Sequence, residues 1–221
     1  CLPRWELVGH PTDFGHLASM TRRHSTMQTL RIAALLGLVA TFGGCASTRE
    51  MVAKPFTDPI REREMRFDFA QVAERDGDLH RAERTYRELV ADKPKDPRYQ
   101  HRLGVVLIRQ GRLDEGLAAL RVSADQQPEN VDVLNDLGYA YVLHGQYAAA
   151  EQVMQQALRV DGRNPRTINN LALAIGYSGR TQEAYELFRQ TQSEADARAN
   201  LAFILSQRGD LLGAIREYDR A

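Results

Sequence analysis

Four glycines, Gly77, Gly111, Gly145 and Gly179, stand 34 residues apart in this chain. A fixed step of that length means copies of one supersecondary unit, each too small to bury its apolar face without a neighbour. Other residues keep the step. Pro94 and Pro128 are 34 apart, and Gly162 takes the same place in the next unit. Leu103-Gly104 and Leu137-Gly138 are followed in register by Leu171-Ala172. Ala82, Gly116, Ala150 and Ala184 share one register, and Tyr86, Leu120, Met154 and Phe188 share another. No unit contains a strand pattern, so each unit is read as a helix hairpin with a first helix A and a second helix B.

The small and large positions have steric reasons. A small residue at 104, 138 and 172 lets helix A approach its partner, and Ala or Gly at 82, 116, 150 and 184 does the same on helix B. Tyr141, Met154 and Phe188 are expected to fill the space between layers. The glycines at 111 and 145 end helix A, where a left-handed backbone is cheapest for glycine. A fifth unit follows at a step of 30: Leu201-Ala202, Gly209, Ala214 and Tyr218 repeat Leu171-Ala172, Gly179, Ala184 and Phe188. The deletion is expected between Thr191 and Ala199, at the end of helix B or in its loop. The chain reaches Ala221 without a polar capping helix, which suggests truncation or cover by a partner.

The third unit, with Leu134, Leu137, Gly138, Tyr141, Gly145, Ala150, Met154 and Ala157, resembles the tetratricopeptide repeat (TPR). The resemblance implies an all-α, right-handed TPR solenoid of about five helix hairpins, with units near 63–96, 97–130, 131–164, 165–194 and 195–221. It also implies a concave groove lined by four recurring positions of helix A. These are Phe67, Gln71 and Glu74, then Arg98, His101, Val105 and Ile108. Asp132, Asn135, Tyr139 and Val142 follow, then Arg166, Asn169, Leu173 and Phe203. The expected partner-binding set is His101, Asn135, Tyr139, Val142, Asn169 and Leu173. Its mixture of apolar, aromatic and amide groups suits an extended peptide or a helix laid in the groove. It lacks the several cations of a clamp for a terminal carboxylate.

Composition removes other classes. Basic and acidic residues balance at 29 each, so there is no electrostatic footprint for nucleic acid. The histidines are His10, His16, His24, His80, His101 and His144. The first three precede the cleavage site argued below, and the others occupy different repeat positions that stacking keeps apart. No metal, cofactor or catalytic residue is expected, since nucleophile elbow, phosphate loop and HExxH are all missing. The carboxylates read as a solvated outer surface. The two cysteines, Cys1 and Cys45, lie outside the repeats, so no disulfide framework holds them.

The chain opens on Cys1 instead of Met, so residues 1–19 read as an upstream or mis-annotated segment. From Met20 a secretory signal is legible. Arg22, Arg23 and Arg31 form a basic stretch, Ile32 to Phe42 is uncharged, and Gly43-Gly44 precede Cys45. The apolar run is short for a membrane span. Cys45 after small residues resembles the lipobox of bacterial lipoproteins, although Phe42 stands where Leu is usual. That resemblance implies a signal peptide over 20–44, an acylated Cys45 and a flexible tether over 45–62. Ala46 after the cysteine implies the outer membrane, on its periplasmic face.

Lipobox, tether and repeats such as NDLGYAYVLHGQYAAAE together resemble the TPR lipoproteins of Tad (Flp) pilus assembly, the TadD family. The resemblance implies a non-enzymatic scaffold that binds pilus or secretin components. Three alternatives share the repeats: a type IV pilus pilotin, another envelope adaptor, or the substrate-binding arm of an enzyme that continues past Ala221.

Overall fold

A computed structural model describes residues 58–221. The upstream segment, the signal peptide, Cys45 and the tether as far as residue 57 lie outside the described residues. Ten α-helices and no strand occur among the described residues. They form five hairpins: α1 (Pro59–Arg75) with α2 (Leu79–Asp92), α3 (Pro97–Arg109) with α4 (Leu113–Gln126), α5 (Val131–Leu143) with α6 (Tyr147–Val160), α7 (Pro165–Ser178) with α8 (Thr181–Arg189), and α9 (Glu194–Gln207) with α10 (Leu211–Asp219).

Each odd-numbered helix A starts at a residue whose side chain accepts from its first free N–H groups. Asp58, Asp96, Asn130, Asn164 and Ser193 fill these places. Pro59, Pro97 and Pro165 follow directly, at the position where the missing N–H costs nothing. The pair Asp58-Pro59 also corrects the expected start of the array. Helix α1 begins at Pro59, inside the stretch read as tether, because cap and proline lie one turn before the point that the period alone gives.

Helices A end on a single device. Gly77, Gly111, Gly145, Gly179 and Gly209 have φ between 78° and 110°. The next residue turns its N–H back onto the helix, as Arg112 does to the Leu107 carbonyl at 2.9 Å and Gln146 to that of Tyr141 at 2.9 Å. This is the Schellman geometry, which satisfies carbonyls left open at a helix end. Any residue with a Cβ would be strained there.

Within hairpins the small residues set the contact. A Cβ placed on Gly104 would stand 2.7 Å from the Leu120 side chain and 3.1 Å from the Gly116 carbonyl, and one on Gly138 2.3 Å from Met154 Cε. Tyr86, Leu120, Met154 and Phe188, equivalent in the sequence, are equivalent in space and almost wholly buried. Each contributes roughly 1.5–3 kcal/mol of burial. The shortened fourth hairpin has its loss at the end of helix B. Helix α8 has 9 residues where α4 and α6 have 14.

The A helices form the inner layer. Consecutive A helices touch from α3 through α5 and α7 to α9, more closely than consecutive B helices do. No helix among the described residues is long and apolar enough to cross a membrane.

Candidate functional site: the face of the A helices

Successive A helices carry charges of alternating sign, and the charges pair across the layer. Arg98 on α3 holds Glu64 on α1 through both guanidinium nitrogens, at 2.9 and 3.1 Å. That hydrogen bond keeps the Glu64 carboxyl below its usual range. The Arg98 guanidinium also lies 5.4 Å from the ring centres of Phe67 and Tyr99, a cation–π setting. On α5, Asp136 bridges its two neighbours. His101 of α3 bonds it at 2.7 Å, and Arg166 of α7 pairs with it from the other side. Burial works against the Asp136 charge, but the bond from His101 and the field of Arg166 outweigh it and hold its carboxyl low. Arg166 also approaches Asp132 at 3.7 Å.

The same layer holds a buried acid. Glu74 at the end of α1 accepts from Tyr86 at 3.2 Å and pairs with Arg102 at 2.5 Å and Arg109 at 3.3 Å. The carboxylates are therefore not a uniform solvated surface. Glu74 and Asp136 are internal joints between repeats. Sequence reasoning named Glu74 only as groove lining and missed Asp136. The alternation Glu64, Arg98, Asp132, Arg166, in which each residue stands 34 after the last, signals that the layer pairs its charges, and it reaches neither Glu74 nor Asp136.

The six expected binding residues divide into two groups. Asn135, Val142 and Leu173 are buried. They are corrected from groove lining to core, because consecutive A helices close upon one another and cover those positions. His101 is mostly covered and committed to Asp136. Tyr139 is half-buried against the main core. Asn169 is half-buried, and its carbonyl accepts from the Thr191 hydroxyl at 2.5 Å. Elsewhere on the A helices, Asn170, Tyr177 and Phe203 are partly exposed and Leu143 is exposed. The face that reaches solvent is thus aromatic and amide in character, with its ionic groups mostly neutralised in place. Among the described residues no group of three or more His, Cys, Asp or Glu stands close enough to hold a metal ion.

Comparison with known proteins agrees with this geometry. Residues 67–131 match one family model of the tetratricopeptide repeat, and residues 107–171 match a second. No curated protein matches the sequence. Among solved structures, MamA MSR-1 C2 is similar with a TM-score of 0.57 at 20% identity, covering 72% of this chain and 93% of that one. A MamA fragment from Desulfovibrio magneticus RS-1 gives 0.60 at 16% identity, covering 72% and 92%. YrrB, described as a TPR protein with an unusual peptide-binding site, gives 0.56 at 19% identity, covering 76% and 90%. At these identities the likeness is one of fold. Residues 67–171 are tetratricopeptide repeats, and the ten helices of the described residues form a TPR solenoid.

Proposed function

We propose that this chain is a protein-binding scaffold held by a lipid on Cys45 at the periplasmic face of the outer membrane, where it assists assembly of a Tad/Flp pilus secretion machine. The binding half of this reading rests on one observation. The inner layer of A helices offers Tyr139, Asn169, Asn170 and Phe203 at least partly exposed, on a frame whose own charges are already paired. Such a surface fits a partner that brings a backbone and apolar side chains, an extended peptide or one helix, better than a charged one. YrrB, of like fold, is described as having a peptide-binding site, which supports the same mode here. The anchoring half rests on the order of basic stretch, apolar stretch, small residues and Cys45. The pilus role rests on the resemblance of this whole arrangement to the lipoproteins of that machine.

Two variants test the halves separately. Cys45→Ser should abolish fatty-acid labelling and membrane retention. Label persisting on that variant removes the lipid anchor from the account. Tyr139→Ala with Asn169→Ala should weaken recovery of secretin or pilus components from membranes. Unchanged recovery of those components removes the A-helix face as the binding surface.

A further inference from the structure

On helix α1, Met65, Phe69 and Val72 follow one another at steps of four and three, so they share one face. They are 45%, 68% and 41% exposed. Their counterparts in the repeat register, Val133, Leu137 and Ala140 on α5, are buried where α4 packs on α5. The counterparts on α3, α7 and α9 are buried as well. Among the described A helices, α1 alone turns this apolar stripe to solvent. The charges along the exposed side of α1 are of both signs: Arg61 and Arg75 are exposed, and so are Glu62, Asp68 and Asp76. The stripe therefore suits an apolar medium better than a charged partner.

We propose that this stripe rests on the lipid surface, with Phe69 and its neighbours entering the boundary between headgroups and acyl chains. The proposal rests on the reading of Cys45 as the lipid anchor. Residues 46–57 are all that separate Cys45 from the Asp58 cap of α1. At full extension that length of chain keeps the cap within about 45 Å of the anchor. Helix α1 has 17 residues and is about 25 Å long, so all three side chains are in reach of the same bilayer. A short tether also raises the local concentration of bilayer so far that a few apolar side chains suffice to hold the face down. The mixed charges give anionic headgroups little to attract, so a zwitterionic bilayer is enough. In every later unit this face of helix A looks back at the hairpin before it, so on α1 it looks away from the rest of the array. With the stripe on lipid, the later hairpins stack outward from the bilayer and leave the A-helix face clear for a protein.

Tryptophan fluorescence tests this on the full chain, produced in cells with fatty-acid label and reconstituted in phosphatidylcholine vesicles. Trp5 is the one tryptophan of the chain, and Trp5→Phe removes it from the background. Vesicles with brominated acyl chains should quench Phe69→Trp by at least about twofold relative to ordinary vesicles, and added salt should not change this. Leu212→Trp, exposed on α10, should not be quenched. Met65→Trp should be quenched, and Phe69→Glu added to it should remove the quenching while circular dichroism shows the fold intact. The fatty-acid label keeps the two readings apart. A labelled chain whose Phe69→Trp is not quenched overturns the lipid-facing stripe and leaves the anchor standing; a stripe covered by another protein gives this result. Equal quenching at positions 69 and 212 overturns the stripe too. A chain without label overturns the anchor and the stripe together.

Discussion

At the end of α1, Glu74 is buried and fully served: Tyr86 donates to it, and Arg102 and Arg109 close on it. Two repeats later, on α5, Asn135 is buried at least as deeply, and neither its oxygen nor its nitrogen has a hydrogen-bond partner among the described residues. Around Glu74 the core is aromatic, with Phe67 against Tyr86 and Tyr99 at ring distances of 5.8 and 5.4 Å. On α5 the core is larger and mixed, with Tyr141 and Phe188 among aliphatic side chains, and Gly138 pressed on Met154. The two sites show what a buried polar group can do in a stacked fold. A networked acid binds three helices and helps to fix which repeat sits on which. A lone amide gives no such return, and the packing around it supplies the stability instead.

Glu74→Ala should have the largest effect. It strands the Tyr86 hydroxyl and removes the counter-charge of two arginines that are themselves partly in water, and the expected loss is about 3 kcal/mol. Urea unfolding measures it. A loss below about 1 kcal/mol would place the network with ordinary surface pairs and erase the contrast.

Gly138→Leu attacks the other site through packing. The added carbons must displace Met154 from a contact with no spare room, at a cost of about 2 kcal/mol. In a solenoid the damage should reach adjacent repeats through their joints, which hydrogen exchange in α4 and α7 reports. An unchanged melting temperature would mean that helices α5 and α6 are not in the register described.

Asn135→Leu sharpens the comparison in the opposite direction. The two side chains have nearly the same shape, and the substitution removes an amide that makes no hydrogen bond here. Stability should hold or rise by up to about 1 kcal/mol. A clear fall in melting temperature would reveal a partner for Asn135 and make the two sites alike.

The smallest effect is a pH dependence on the outer surface. Burial works against the charge of Glu83, but hydrogen bonds from Arg87, Arg112 and Gln110 outweigh it and lower its carboxyl from 4.5 to about 2. The folded chain therefore takes up this proton less readily than the unfolded chain. The stability that Glu83 contributes is complete above 4.5 and disappears as pH falls through about 2. Glu83→Gln should flatten that part of the profile of melting temperature against pH. A variant with the same slope as the wild type would show that other carboxylates carry it.

Much of this architecture was legible because a repeat states its own geometry several times. Gly111 and Gly145 fall where the backbone turns left-handed, and the Tyr86, Leu120, Met154, Phe188 register falls in the core. The period alone places the start of α1 one turn late, because Asp58 and Pro59 cap and open the helix ahead of the repeat register. The site was harder. A periodic argument gives the side of a helix that faces inward, and it does not give how tightly neighbouring helices close over that side. That closure is why Asn135, Val142 and Leu173 are core while Tyr139 and Asn169 keep some surface. Asp136 went unseen because its partners, His101 and Arg166, come from two other repeats at offsets of 35 and 30, off the 34-residue step.

The central claim, that the A-helix layer is where a partner binds, is tested most directly by site-specific photo-crosslinking in native membranes. A photoreactive residue replaces Tyr139 on α5 in one chain and Gln155 in another. Gln155 is exposed on α6, in the outer layer of B helices. Position 139 should give a discrete protein adduct that Cys45→Ser greatly weakens, and position 155 should give none. Adducts from position 155 alone, or the same adducts from both positions, would contradict the assignment.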